Sequence, residues 1–301
     1  MQVAVFGLGK MGAQIARRLH KNNFNVLAWN RSEAPRVEVA KSGVKTFALV
    51  EEVVKVMDES PRVFWIMLLQ ETLEDFLQNQ LRQYLRSGDI VIDGGNSFYK
   101  ESIRRAEMLK EQGVHYFDCG TSGGVWGEKN GFALMVGGPS AQWSVVEPIF
   151  KSLSSGENYG LVGKNGAGHF VKMVHNGIEY GMMEAIGEGY GIMKASPLDL
   201  DLLQVTKIYQ QGTVIRSWLI DLVRDIFEKE NIEETSGIIN MLGEGEWTVE
   251  AGKDLGVEVR VLEDSVNVRK ESKDPKNQNK FSNKIVALLR KQFGGHSINK
   301  K

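Results

Sequence analysis

Lys172, His175, Asn176, Glu179 and Tyr180 stand within residues 172–180. At about 100° of turn per residue, the first four share an arc of roughly 100° on a helix, and Tyr180 falls beside it. An amine and a carboxyl two turns apart on one helical face suit a reaction that needs both a base and an acid. The condition is that burial lowers the lysine pKa or raises that of the carboxyl. Phe170, Val174 and Ile178 point roughly the opposite way, so the helix is expected to set an apolar back against a core and a reactive front toward a ligand. A helix that merely needs solubility has no use for His and Asn at those positions.

A second chemical signal lies at the N-terminus, where Gly7-Leu8-Gly9-Lys10-Met11-Gly12 follows an apolar strand pattern and opens a helical one. Glycines in that setting let a pyrophosphate approach the N-terminus of a helix, which makes Gly7, Gly9, Lys10, Met11 and Gly12 the candidate dinucleotide loop. The end of the next strand selects the cofactor. An acid there would bind the ribose hydroxyls of NAD, but the sequence has Asn30-Arg31-Ser32. A planar guanidinium and a hydroxyl favour the 2′-phosphate of NADP, with NAD as the alternative.

These residues need a frame. Strand patterns at 2–6, 25–29, 62–69, 89–95, 115–118 and 132–136 alternate in the first half with helical ones at 13–22, 33–42 and 72–86, and the strands are apolar on both faces. That order predicts a mostly parallel, Rossmann-like sheet with helices on each side. From residue 166 strands give way to helical stretches at 166–194, 198–209, 213–230, 247–255, 258–269 and 280–292. The expected organisation is an α/β dinucleotide-binding domain over 1–164, followed by an all-α domain over 165–301 that is built on a long helix and serves substrate binding and dimerisation. Residues 269–284, rich in Lys and Asn around a proline, read as an exposed basic linker.

Composition narrows the class. The chain of 301 residues balances 37 basic against 38 acidic side chains, so global charge gives no argument for nucleic acid. No apolar run reaches the roughly 18 residues that cross a bilayer, which leads to the expectation of a cytoplasmic protein without a membrane partner. Cys119 is the single cysteine, excluding an intramolecular disulfide framework and a multi-cysteine metal site. It reads as a small buried apolar residue. His115 and His169 have no metal-ligand companions at suitable spacing.

Taken together, the glycine fingerprint, Asp93-Gly94-Gly95-Asn96-Ser97, Ser122-Gly123-Gly124, the 172–180 block, Gly243-Glu244-Gly245-Glu246-Trp247-Thr248 and Phe293-Gly294-Gly295-His296 carry a resemblance. The chain resembles the decarboxylating 6-phosphogluconate dehydrogenases in their short form, within the β-hydroxyacid dehydrogenase superfamily. The resemblance implies hydride transfer from 6-phosphogluconate to NADP with Lys172 as base, loss of carbon dioxide from the 3-keto acid with Lys172 as acid, and protonation of the enediol by Glu179. The ketone serves as electron sink, so no metal is implied. Asn96, Ser122, Gly123, Gly124, His175 and Asn176 would orient the sugar acid, and Asn96 would also touch the cofactor. The phosphate would fall to Tyr180 and Arg269, with Arg290 and His296 reaching in from a second subunit of a homodimer or homotetramer.

One departure stands out. The long forms of the family carry a lysine where this chain has Leu242, which removes a phosphate contact. It motivates an alternative, a relative acting on a small unphosphorylated β-hydroxy acid. A dinucleotide-binding module without catalysis is the reading from another class, and the alignment of Lys172, Asn176 and Glu179 argues against it.

Overall fold

A computed structural model describes residues 1–298 and divides the chain into two compact units, Met1–Lys172 and Met173–Lys301. The first holds one eight-stranded sheet. Its strands are β1 (Gln2–Phe6), β2 (Asn25–Trp29), β3 (Lys45–Phe47), β4 (Val63–Ile66), β5 (Ile90–Asp93), β6 (His115–Ser122), β7 (Phe132–Gly137) and β8 (Ser154–Gly163), in the order β3-β2-β1-β4-β5-β6-β7-β8. Every pair is parallel except β6 with β7. The chain leaves β1 toward β2 and β3 and then returns to place β4 on the other side, so the strand order reverses between β1 and β4. The carboxyl ends of strands at such a point are where open α/β sheets bind ligands.

Alternate residues of β1 feed two separate cores. Val3 and Val5 pack with Ile15, Leu19 and Phe150 on one face. Ala4 and Phe6 pack with Val53, Phe76 and Leu109 on the other. Burial on both faces is why these strands are apolar throughout, each large side chain contributing about 1.5–3 kcal/mol.

Sequence patterns missed β3, β8 and the helices Val50–Lys55, Tyr99–Lys110 and Trp143–Leu153. β3 is three residues long, and β8 is a largely exposed edge strand, so neither carries the apolar signature of a covered strand.

In the second unit the helices Leu202–Tyr209, Trp218–Lys229, Glu244–Asp254, Arg260–Glu271 and Phe281–Gly294 pack with Tyr180, Met183 and Tyr190 of the long helix Ala167–Ala195, which runs through the boundary between the units. The stretch expected to be helical from 213 starts only at Trp218. Gly212 sits at φ +76°, and Ser217, extended, accepts a bond from the Ile220 amide at 3.3 Å as the N-cap.

Two expectations are corrected here. Residues 269–284 are not an exposed linker: Arg269, Ser272, Asn277, Asn283 and Lys284 are buried. Asn277 Nδ2 donates to the Glu271 carbonyl, Asn283 Nδ2 to that of Asn277 and Lys284 Nζ to that of Glu233, so a polar string is folded by side-chain to backbone bonds. Nor is the back of the long helix formed by Phe170, Val174 and Ile178. Ile178 is 53% exposed, and the buried row is Met173, Gly177, Tyr180, Met183, Glu184, Gly187 and Tyr190. Among the described residues no helix is long and apolar enough to cross a membrane.

Candidate functional site

The three fingerprint glycines are required for three different reasons. Gly7 turns the chain at φ +97°, and a Cβ there would stand 2.4 Å from the Met67 carbonyl oxygen of the neighbouring strand's extension. Gly12 brings the helix Lys10–Lys21 onto the turn, since a Cβ would lie 1.9 Å from the Gly7 oxygen. Gly9, by contrast, has nothing within 4 Å of its missing side chain. It is the N-cap of a helix that has neither a side-chain cap nor an acid in its first turn. Amide donors and the positive end of the dipole are thus left for an anion, which is what a pyrophosphate needs. Lys10 is exposed beside this opening, whereas Met11 packs against the core.

Asn30 has a different task from the one its position suggests. Its Oδ1 accepts from the Leu8 amide at 3.0 Å and its Nδ2 donates to the Ser32 carbonyl at 3.1 Å, so the side chain ties the fingerprint loop to the loop after β2. Arg31 and Ser32 are exposed. Arg31 makes no ion pair among the described residues, and the Ser32 hydroxyl does not cap the helix Glu33–Ala40 that it precedes. Both are open to a phosphate.

At the end of β5 the buried Asp93 accepts from the Gly95 amide at 3.1 Å, the Ser97 hydroxyl at 2.8 Å and the Tyr116 phenol at 2.9 Å. That carboxylate shapes the loop on which Asn96 is exposed. At the end of β6, Ser122 leads into Gly123 at φ +147° and Gly124 at φ +51°, a turn closed to ordinary side chains. Gln14 of the fingerprint helix holds this turn, donating to the Gly124 carbonyl at 3.3 Å and accepting from the Glu128 amide at 2.8 Å. Lys172 belongs to the same unit and lies against β6, where a Cβ on Gly120 would stand 2.3 Å from the lysine Cβ.

In the second unit His175 Nδ1 is 2.9 Å from Asn176 Oδ1 and 3.9 Å from Glu179 Oε2, so three polar side chains of the helix face engage one another. The helix is held by Thr248, whose hydroxyl donates to the Met173 carbonyl at 2.7 Å and whose methyl fills the space at Gly177.

From Tyr180, the residue after Glu179, a buried cluster forms. The Arg269 guanidinium lies 3.3 Å from the centre of the Tyr180 ring and donates from Nε to Glu184 Oε1 at 3.0 Å. Its Nη1 and Nη2 are buried without an acceptor among the described residues. An orphaned guanidinium fork is costly to keep, and it is shaped for a phosphate or carboxylate. Burial pushes the Tyr180 phenol and the Glu184 carboxyl up, with Arg269 opposing both shifts. Burial and the nearby Arg269 charge push Arg290 down.

Arg290 is only 6% exposed, inside the helix Phe281–Gly294 of its own unit and within the electrostatic reach of Tyr180 and Arg269. His296 follows the same helix and sits edge-on to Phe293 at 6.5 Å. Leu242 is 60% exposed and brings no charge. Glu184 escaped sequence reasoning, although its spacing of four from Tyr180 on the buried row was a usable signal. Cys119 is fully buried, and burial pushes its thiol far up, consistent with an inert core residue.

Comparisons with known proteins agree with both halves. The family model for the NAD binding domain of 6-phosphogluconate dehydrogenase matches residues 2–163, and that for the C-terminal domain of 6-phosphogluconate dehydrogenase matches residues 168–299. YqeC of Bacillus subtilis is 39% identical over the whole of both chains. The NAD(+)-dependent, decarboxylating 6-phosphogluconate dehydrogenase of Haloferax volcanii is 36% identical, over 100% of this chain and 99% of the relative. Among solved structures, the 6-phosphogluconate dehydrogenase of Plasmodium falciparum, described with NADP+ and with 6-phosphogluconate, superposes with a TM-score of 0.84 at 28% identity. The match covers 90% of this chain and 62% of that longer one. With two consecutive domain matches and full-length relatives of the same size, the chain belongs to the 6-phosphogluconate dehydrogenase family.

Proposed function

We propose that this protein oxidatively decarboxylates 6-phosphogluconate to ribulose 5-phosphate and carbon dioxide with reduction of NADP. The observation that carries the proposal is the helix Ala167–Ala195, which sets Lys172 and Glu179 seven residues apart, hence on one face. Cofactor binding is assigned to residues 1–164, and substrate binding and homo-oligomer formation to residues 165–301.

When bound, NADP supplies the hydride acceptor. The amides behind Gly9 would hold its pyrophosphate, and Arg31 with the Ser32 hydroxyl its 2′-phosphate. The neutral Lys172 amine takes the proton from the carbon 3 hydroxyl as hydride leaves that carbon. The resulting ammonium then gives its proton to the carbon 3 oxygen while the carboxylate departs as carbon dioxide and its bonding pair enters the carbonyl system. Glu179, protonated, delivers a proton to carbon 1 of the enediol while the Lys172 amine, neutral again, takes back the proton of the neighbouring hydroxyl, which leaves the ketone of ribulose 5-phosphate. His175 and Asn176, hydrogen-bonded to each other, are assigned to substrate orientation with Asn96, Ser122, Gly123 and Gly124. Tyr180, Arg269, Arg290 and His296 are assigned to the phosphate. The burial of Arg290 beside Tyr180 favours a contribution from the same chain, and that second guanidinium offsets the cation missing at Leu242.

The test is an assay of purified protein with 6-phosphogluconate and either cofactor, trapping carbon dioxide. NADP should be preferred by about tenfold or more in kcat/KM, since a charge-assisted bidentate contact contributes about 1.5–3 kcal/mol. Lys172→Met should lower kcat by about a thousandfold and leave NADP affinity unchanged. A preference for NAD would remove the role given to Arg31, and an active Lys172→Met would remove the base.

A further inference from the structure

Asp93 and Asp118 occupy the same register on neighbouring parallel strands, both fully buried at the carboxyl side of the sheet. Asp93 folds back onto its own loop. Asp118 does something different: Oδ1 accepts from the Gly166 amide at 2.6 Å and Oδ2 from the His169 amide at 2.9 Å. A helix begins with amides that have no intrahelical partner, and they are commonly met by a side chain just before the helix. Here position 166 is a glycine at φ +90°, with no side chain to offer, and a strand carboxylate takes over. Its negative charge also lies at the positive end of the longest helix of the chain.

The same strand face makes a second attachment. Gly120, two residues after Asp118 and so on the same side of β6, has the Lys172 Cβ directly over it, and the absent Cβ of Gly168 would stand 2.4 Å from the Asp118 carbonyl oxygen. A third lies around the helix, where the buried His169 ring meets the Ser102 hydroxyl at 2.7 Å through Nδ1. The helix is therefore fixed along its axis by the Asp118 carboxylate, in height above the sheet by Gly120 and Gly168, and in rotation by His169. The first functional side chain after these attachments is Lys172.

We propose that Asp118 is a positioning residue of the reaction, setting the axial placement of Lys172 through the first turn of the helix. The inference rests on the reading of Lys172 as the base. Relative to that amine, a shift of about 1 Å in the helix start is enough to cost on the order of a hundredfold in rate.

The experiment is a double-mutant cycle with Asp118→Ala and Lys172→Met, supported by Asp118→Asn, which keeps one acceptor oxygen should the alanine variant fold poorly. Each folded variant is measured for kcat, KM, NADP affinity and the isotope effect with 6-phosphogluconate deuterated at carbon 3. Asp118→Ala should lower kcat by about a hundredfold, with KM and NADP affinity within about threefold, and should raise the isotope effect as proton and hydride transfer become limiting. Asp118→Asn should fall between it and the wild type. The double variant should be no slower than Lys172→Met alone, because a residue that acts through Lys172 has nothing left to position. Independent, multiplying losses would overturn the proposal, as would a folded Asp118→Ala with wild-type kcat. An active Lys172→Met would overturn this inference together with the base reading, whereas an inactive Lys172→Met beside a wild-type Asp118→Ala would overturn this inference alone.

Discussion

The two sites proposed here to take anions are built by opposite means. The loop after β1 works by what its residues lack: Gly9 has open space where a side chain would stand, and the helix behind it brings neither cap nor acid. The cluster of Tyr180, Glu184, Arg269 and Arg290 works by large buried side chains gathered from three helices. A backbone device is local in sequence and intolerant of added atoms. A side-chain device is distant in sequence and depends on each charge keeping its partner.

The strongest way to break that contrast is to add single methyl groups. Gly12→Ala forces a Cβ against the Gly7 carbonyl, so the helix must move off the turn. Overpacking of this kind costs about 1–3 kcal/mol of stability, and NADP affinity should fall at least about a hundredfold. Gly9→Ala meets no atom, so its thermal midpoint should match the wild type while NADP affinity still falls about tenfold. Isothermal titration beside thermal unfolding reads both quantities. If Gly9→Ala binds NADP as well as the wild type, the backbone is not the device.

For the side-chain cluster the informative change keeps the charge and removes the fork. Arg269→Lys retains a cation beside Glu184 but loses the planar donors of Nη1 and Nη2. The KM for 6-phosphogluconate should rise about tenfold to a hundredfold, with turnover of unphosphorylated gluconate and NADP affinity nearly unchanged. Equal losses on both sugar acids would place the phosphate elsewhere.

The same contrast explains which features are legible in the amino-acid sequence. Gly7, Gly9 and Gly12 could be read because the strand, turn and helix that give them meaning adjoin them in sequence. The shared helix face of Lys172 and Glu179 could be read because two turns of a single helix separate them. Arg269 looked like a cation in a basic string, because nothing local says that its turn of helix faces Tyr180, which stands in another helix. Ile178 misled for a related reason: apolar character marks a face that is covered, yet the covered row of this helix holds Tyr180 and Glu184, each made tolerable by Arg269. The eighth strand stayed hidden because it pairs through its backbone while its side chains face solvent.

Glu184 offers the finest probe of the buried cluster. Burial holds its carboxyl above the ordinary glutamate value, and the ion pair with Arg269 only partly offsets that. Between the ordinary and the raised value the folded chain keeps a proton that the unfolded chain has released, so stability falls as pH rises through that window and levels off above it. The slope from this one group cannot exceed about 1.4 kcal/mol per pH unit. In Glu184→Gln that limb disappears, because the amide does not titrate. Urea unfolding of both proteins at steps from mildly acidic to neutral pH should give stability curves that converge or diverge only within the window and run parallel beyond it. Curves parallel throughout would mean that Glu184 titrates as if in water, and that Arg269 faces a carboxylate far better solvated than its burial implies.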